Sequence, residues 1–122
     1  MKNPVNYFEI PVSNLQRAID FYSSVFDFQF EQSILDGNEM AYFPFYDGES
    51  GITGALAKGE SYVPGIQGVR IYFSSETIEE TLRKVLLAGG KILYPLTSIG
   101  EWGSVAEFED SEGNCIALHS NH

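Results

Sequence analysis

Glu9 stands in the run Tyr7-Phe8-Glu9-Ile10-Pro11-Val12, a carboxylate among apolar neighbours. A charge in such a place needs either a partner or a task, because burying it alone is costly. The tasks open to it are general base, lone metal ligand, or acceptor for a bound molecule. The structural alternatives are an ion pair with Arg70 or a hydrogen bond from a tyrosine. His119, near the chain's end, could act as an acid or base or join Glu9 in a degenerate metal site; equally, it could be a solvated histidine. Arg70 and Tyr72 have the donors to clamp a carboxylate or carbonyl, unless Arg70 is spent on Glu9. Tyr7, Met40 and Tyr42 could wall a pocket. Trp102, in Ile99-Gly100-Glu101-Trp102-Gly103, sits where a loop aromatic could cap one. Cys115 reads as a small buried apolar residue.

Composition removes several other functions. The chain has 122 residues, enough for one domain, with a net charge of -10. Nucleic acid needs a basic footprint and anionic membranes attract basic segments, so both partners are disfavoured. A single cysteine allows no intrachain disulfide, and Met1 to Tyr7 lacks the apolar run of a signal peptide. With no apolar stretch long enough to span a bilayer, the expected compartment is the cytoplasm. No phosphate-cradling glycine motif, nucleophile elbow or zinc-spaced Cys/His set occurs.

The elements that must position these residues follow from periodicity. Tyr7–Val12 alternates as a strand, and Ser13 with Gln16 has capping-box spacing. Leu15, Ile19, Tyr22 and Phe26 then mark a helix stripe. Strands are expected over Phe28–Leu35, Met40–Phe45 and Ile52–Ala57, with turns at Asp36-Gly37-Asn38 and Asp47-Gly48. Residues 59–67 read as a linker. The plan then repeats. A strand is expected over Val69–Ser74, a helix from Thr77 to the stop at Gly89-Gly90, strands over Lys91–Tyr94, Val105–Glu109 and Cys115–His119, and a loop over Thr97–Ser104. Displaced by 63 residues, Leu15, Ile19 and Tyr22 fall on Ile78, Leu82 and Val85, Tyr7 on Arg70, and Glu9 on Tyr72. The pattern is that of a duplicated unit, with modules at about 1–58 and 68–122.

Alternation assigns faces. Phe8, Ile10, Val12, Ile71, Phe73, Ile52, Gly54, Leu56, Ile116 and Leu118 should lie under the helices. Tyr7, Glu9, Arg70, Tyr72, Ala55, Ala117 and His119 then share the far face, and Ala106 and Phe108 put Glu107 there too. A curved sheet gathers that face into a groove.

Asn14-Leu15, Ala18, Phe21-Tyr22 and Phe26-Asp27 in the opening, with Asp110, Gly113, Asn114, Ile116 and Leu118 in FEDSEGNCIALHS, carry a resemblance. They resemble the vicinal oxygen chelate superfamily of glyoxalases, bleomycin-resistance proteins and ring-cleaving dioxygenases, in its branch of unassigned reaction. The resemblance implies an α+β fold of two tandem βαβββ modules forming a cup-shaped mixed sheet, helices on its convex side, and often a homodimer. It also implies four metal-ligand positions, which here are Tyr7, Ala55, Arg70 and Ala117. Alanine has no donor and arginine repels a cation, so the usual metal site is expected to be absent. The expectation is therefore a small-molecule-binding protein without a cofactor. The alternative is a lyase, isomerase or oxygenase using Glu9 with Tyr7, Arg70 or His119 and a non-standard divalent metal.

Overall fold

The computed structural model describes residues 1–122. The first module comprises strand β1 (Phe8–Pro11), helix α1 (Leu15–Phe26), and strands β2 (Glu31–Leu35), β3 (Asn38–Tyr42) and β4 (Gly54–Lys58). The second comprises β5 (Tyr72–Ser74), α2 (Ile78–Leu87), β6 (Lys91–Ser98), β7 (Ser104–Glu109) and β8 (Cys115–Ser120), with a 3-10 turn at Gly100–Trp102. The sheets have the orders β1-β4-β3-β2 and β5-β8-β7-β6. In each, the first strand runs parallel to the last, and every other pair is antiparallel. The fold is therefore α+β, built from two βαβββ units. Glu9 pairs with Ala55, and Tyr72 with Ala117, so the 63-residue displacement holds in the register of the first strands.

Both modules share one core on the helix side. The α1 stripe of Leu15, Ala18, Ile19, Phe21, Tyr22 and Val25 is buried, as is Ile78, Leu82 and Val85 of α2. Aromatic rings bridge the units: Phe8 meets Phe73 at 6.0 Å, Tyr22 meets Phe73 at 6.1 Å, and Phe21 meets Phe108 at 6.1 Å. Asp36 and Gly37, both at positive φ, make the tight turn that sets Leu35 opposite Asn38.

The turn between β7 and β8 locks the modules together. Glu112 Oε1 accepts from the Ser13 and Asn14 amides, each at 2.9 Å, and its carboxylate takes Arg17 Nε at 2.7 Å and Nη2 at 3.0 Å. Tyr22 donates to Asp110 Oδ2 at 2.7 Å, and Asn114 Nδ2 donates to the Pro11 carbonyl at 2.8 Å. All of these contacts cross from one module to the other.

Several boundaries differ from the sequence reading. The α1 N-cap is Asn14, whose side chain accepts from the Arg17 amide; Gln16 bonds Asp20 instead of closing a box with Ser13. Thr77 caps α2 without a side-chain bond, and Glu80 pairs with Arg83. Phe28 and Phe30 precede β2 and pack on the core. β3 ends at Tyr42, short of Phe45, and β4 starts at Gly54. Ile52 lies outside the strand and exposed, not under a helix. β6 runs on to Ser98 through the stretch expected to open a loop.

Candidate functional site

A cleft of about 990 Å³ opens along the seam between β1 and the segment leading into β5. Tyr7 just ahead of β1 and Glu9 on it line one side, the second module contributes Val69, Arg70, Tyr72 and Cys115, and the linker contributes Val63 and Ile66. Phe8, Phe43 and Phe73 form apolar wall. Four candidates scattered across the sequence thus meet: Tyr7, Glu9, Arg70 and Tyr72. The ladders place Glu9 and Tyr72 at equivalent positions on the first strands of the two units, opposite Ala55 and Ala117, with Tyr7 and Arg70 two residues ahead of them.

Two phenols hold the Glu9 carboxylate. Tyr62 donates to Oε1 at 2.6 Å and Tyr7 to Oε2 at 3.0 Å. Of the structural alternatives for Glu9, the tyrosine bond is the one formed; Arg70 is not its partner. Burial first, then the bond to Glu9 and its charge, push the Tyr7 phenol well above its ordinary range. Tyr62 is raised chiefly by the same kind of hydrogen bond. Both therefore act as donors at neutral pH. Tyr62 lies in the linker and was not among the sequence candidates. The signal for it was an aromatic residue in a turn-rich stretch, Ser61-Tyr62-Val63-Pro64. Its ring packs against Met40, Ala55 and Ala57.

Arg70 pairs with Glu107, Nη1 to Oε2 at 3.2 Å, and the charge of Glu107 is the main influence raising its guanidinium. Glu107 lies on the far face as expected, since Ala106 and Phe108 are fully buried in the core. Cys115 is half-buried, not a core residue, and its thiol points toward Glu107 Oε1 at 3.8 Å. Burial pushes that thiol up against the opposing pull of Arg70, so it is not an activated nucleophile.

The remaining candidates stand elsewhere. Met40 is buried in the small cluster under Tyr62 and does not line the cleft. Tyr42 borders that cluster, with its hydroxyl 3.3 Å from Ser33 Oγ. His119 Nε2 bonds the Trp102 carbonyl at 2.6 Å, so the proton sits on Nε2 and the ring anchors the 3-10 turn. Trp102 itself is exposed and outside the cleft lining.

The four donor positions do not fit a divalent metal. Ala55 and Ala117 are fully buried methyl groups, Tyr7 is a protonated phenol, and Arg70 is a cation already paired. No group of three or more His, Cys, Asp or Glu side chains is placed to hold a metal ion. No helix is long and apolar enough to cross a membrane.

The Glyoxalase/Bleomycin resistance protein/Dioxygenase superfamily model matches residues 5–118. A "Glyoxylase-like domain-containing protein" of Didymella fabae is 28% identical over 114 residues, covering 90% of this chain and 88% of the relative. Among solved structures, a glyoxylase/bleomycin resistance protein/dioxygenase domain from a Frankia species superposes with TM-score 0.77 at 14% identity, covering 100% of both chains. An antibiotic binding protein from a Streptomyces species gives 0.71 at 21% identity, covering 98% of this chain and 96% of that one. A fosfomycin resistance protein from Listeria monocytogenes gives 0.72 at 16% identity, covering 100% and 96%. At these identities the structures are similar in fold.

Proposed function

We propose, from the premise that this chain belongs to the Glyoxalase/Bleomycin resistance protein/Dioxygenase superfamily, that it binds a small organic molecule in the seam cleft without the four-ligand metal site. One observation carries the reading. The cleft gathers Tyr7, Glu9, Arg70 and Tyr72 between aromatic walls, while the four donor positions offer a phenol, two methyl groups and a paired cation. Concave apolar sites with a few convergent polar groups are the usual form of a ligand pocket. That the Streptomyces neighbour of the same fold is an antibiotic binding protein fits the reading. The enzymatic alternative loses two of its supports. His119 is engaged by Trp102, and Arg70 by Glu107. We also propose that two copies associate: β6 leaves Ile92, Leu93, Tyr94 and Leu96 exposed along a sheet edge.

The test is an amide NMR titration with a panel of aromatic small molecules, paired with thermal unfolding. A ligand at 100 times its Kd adds about 2.7 kcal/mol to the native state and so must raise Tm. Saturable shifts confined to the cleft lining, residues 5–11, 28, 43–46, 50–53, 62–74 and 114–116, are expected. Shifts on another face, or conversion of the bound compound to product, would overturn the reading.

A further inference from the structure

The charge inventory of the cleft points to its ligand class. Only Glu9 and Arg70 among the lining side chains are charged. Arg70 is compensated by Glu107. Glu9 takes part in none of the chain's ion pairs, which join Arg17 to Glu112, Lys58 to Glu39, Arg70 to Glu107 and Arg83 to Glu80. Its two phenol partners satisfy its hydrogen bonding and fix its position, but they bring no positive charge. The cleft therefore carries one uncompensated negative charge beside aromatic rings. The chain's net charge of -10 adds a long-range potential of the same sign.

We propose that the cleft takes an organic ammonium ion, with Glu9 as its counter-ion and the Tyr7 ring as its neighbour. The proposal rests on the seam cleft being a small-molecule site. A monovalent ammonium matches a single carboxylate, and its apolar substituents match the phenyl walls; charge-assisted hydrogen bonding and cation–ring attraction both favour it. A divalent metal would find one carboxylate and protonated phenols. An anion would meet Glu9 uncompensated and Arg70 already engaged. Tyr62 is a positioning residue, gripping Oε1 from the linker.

Three probes of similar size separate these cases: phenethylammonium, 2-phenylethanol and phenylacetate, each titrated by amide NMR. The expected order is cation, then alcohol, then anion, with the cation preferred over the alcohol by about tenfold. Glu9→Gln, checked for an unchanged thermal midpoint, is expected to bring the cation down to the alcohol and leave the alcohol unchanged. Glu107→Gln, which touches Glu9 nowhere, frees Arg70 and is expected to raise phenylacetate binding several-fold while weakening the cation. Equal affinities, an anion preference in the unmodified protein, or a cation preference that survives Glu9→Gln would each overturn the ammonium assignment and leave the cleft reading standing. If no aromatic compound of any charge shifts a cleft resonance, the cleft reading itself falls.

Discussion

Replacing Glu112 by glutamine should unlock the two modules, and the cost is calculable from the structure. The carboxylate is fully shielded from solvent and accepts from the Ser13 and Asn14 amides, the Ser111 hydroxyl and both Arg17 nitrogens. Burial is the largest single influence on it and opposes the charge. The Arg17 bond, the two amides and the hydroxyl together outweigh burial and hold the carboxyl at about 2, against an ordinary 4.5. That shift of about 2.5 units, at 1.36 kcal/mol per unit, amounts to ~3 kcal/mol, reduced toward ~2 because Arg17 is half open to solvent. The folded value is depressed, so the stabilisation is present in full above the unfolded value and is lost as pH falls from 4.5 toward 2. Asp110, two residues away, runs the other way: burial raises it, so its contribution fades as pH rises. Asp110 is common to both proteins and cancels from their difference. Urea unfolding of the unmodified protein and Glu112→Gln at pH 7, 5, 4 and 3 should show a gap of about 2–3 kcal/mol at pH 7 that narrows steadily below pH 5. A gap that is constant with pH would mean that packing, not charge, is responsible, and would refute the reasoning. So would a gap below about 0.5 kcal/mol at pH 7.

Two further outcomes follow from the sheets. A methyl added in Gly54→Ala would overlap the Phe8 carbonyl oxygen and approach the Phe8 ring to 2.7 Å. The variant should lose about 1–3 kcal/mol by urea unfolding, since β1 and β4 must part to admit it; an unchanged midpoint would contradict the close β1–β4 approach. If two copies bury the open edge of β6, light scattering should give twice the 13.6 kDa chain mass, and Leu93→Lys with Leu96→Lys should halve it. A chain mass of 13.6 kDa at the highest soluble concentration would defeat the pairing.

What the sequence revealed and what it hid divide along physical lines. Local periodicity exposed the helix stripes, the β1 and β8 faces, and the placement of Glu107, because each depends on neighbours two to four residues away. β6 was legible over Lys91–Tyr94, but its run on to Ser98 escaped because the strand is an edge open on both faces, with no burial alternation to read there. Pro95 is accommodated inside β6 because an edge strand has a free side where no partner needs its amide. The capping box expected from Ser13 and Gln16 does not form: Asn14 caps the Arg17 amide, and Glu112, 98 and 99 residues on, takes the Asn14 and Ser13 amides, a contact no local rule can see. Tyr62 was hidden for the same reason. Its bond to Glu9 spans 53 residues and comes from a linker whose composition announces only turns.

The two like modules set the shape of the groove, and the side chains on its face set its chemistry. Tyr7, just ahead of β1, and Glu9 on it are two residues apart, and the bond between their side chains keeps them together at the cleft. Their counterparts Arg70 and Tyr72 share the equivalent face of the second module. With alanine on β4 and β8 opposite Glu9 and Tyr72, the space beside the first strands is left to rings and to one carboxylate. At the cleft, the second module's Arg70 is paired with Glu107, whereas Glu9 of the first has no cationic partner. Under the ammonium proposal, the asymmetry of charge between two like backbones, not the backbone itself, would select the ligand.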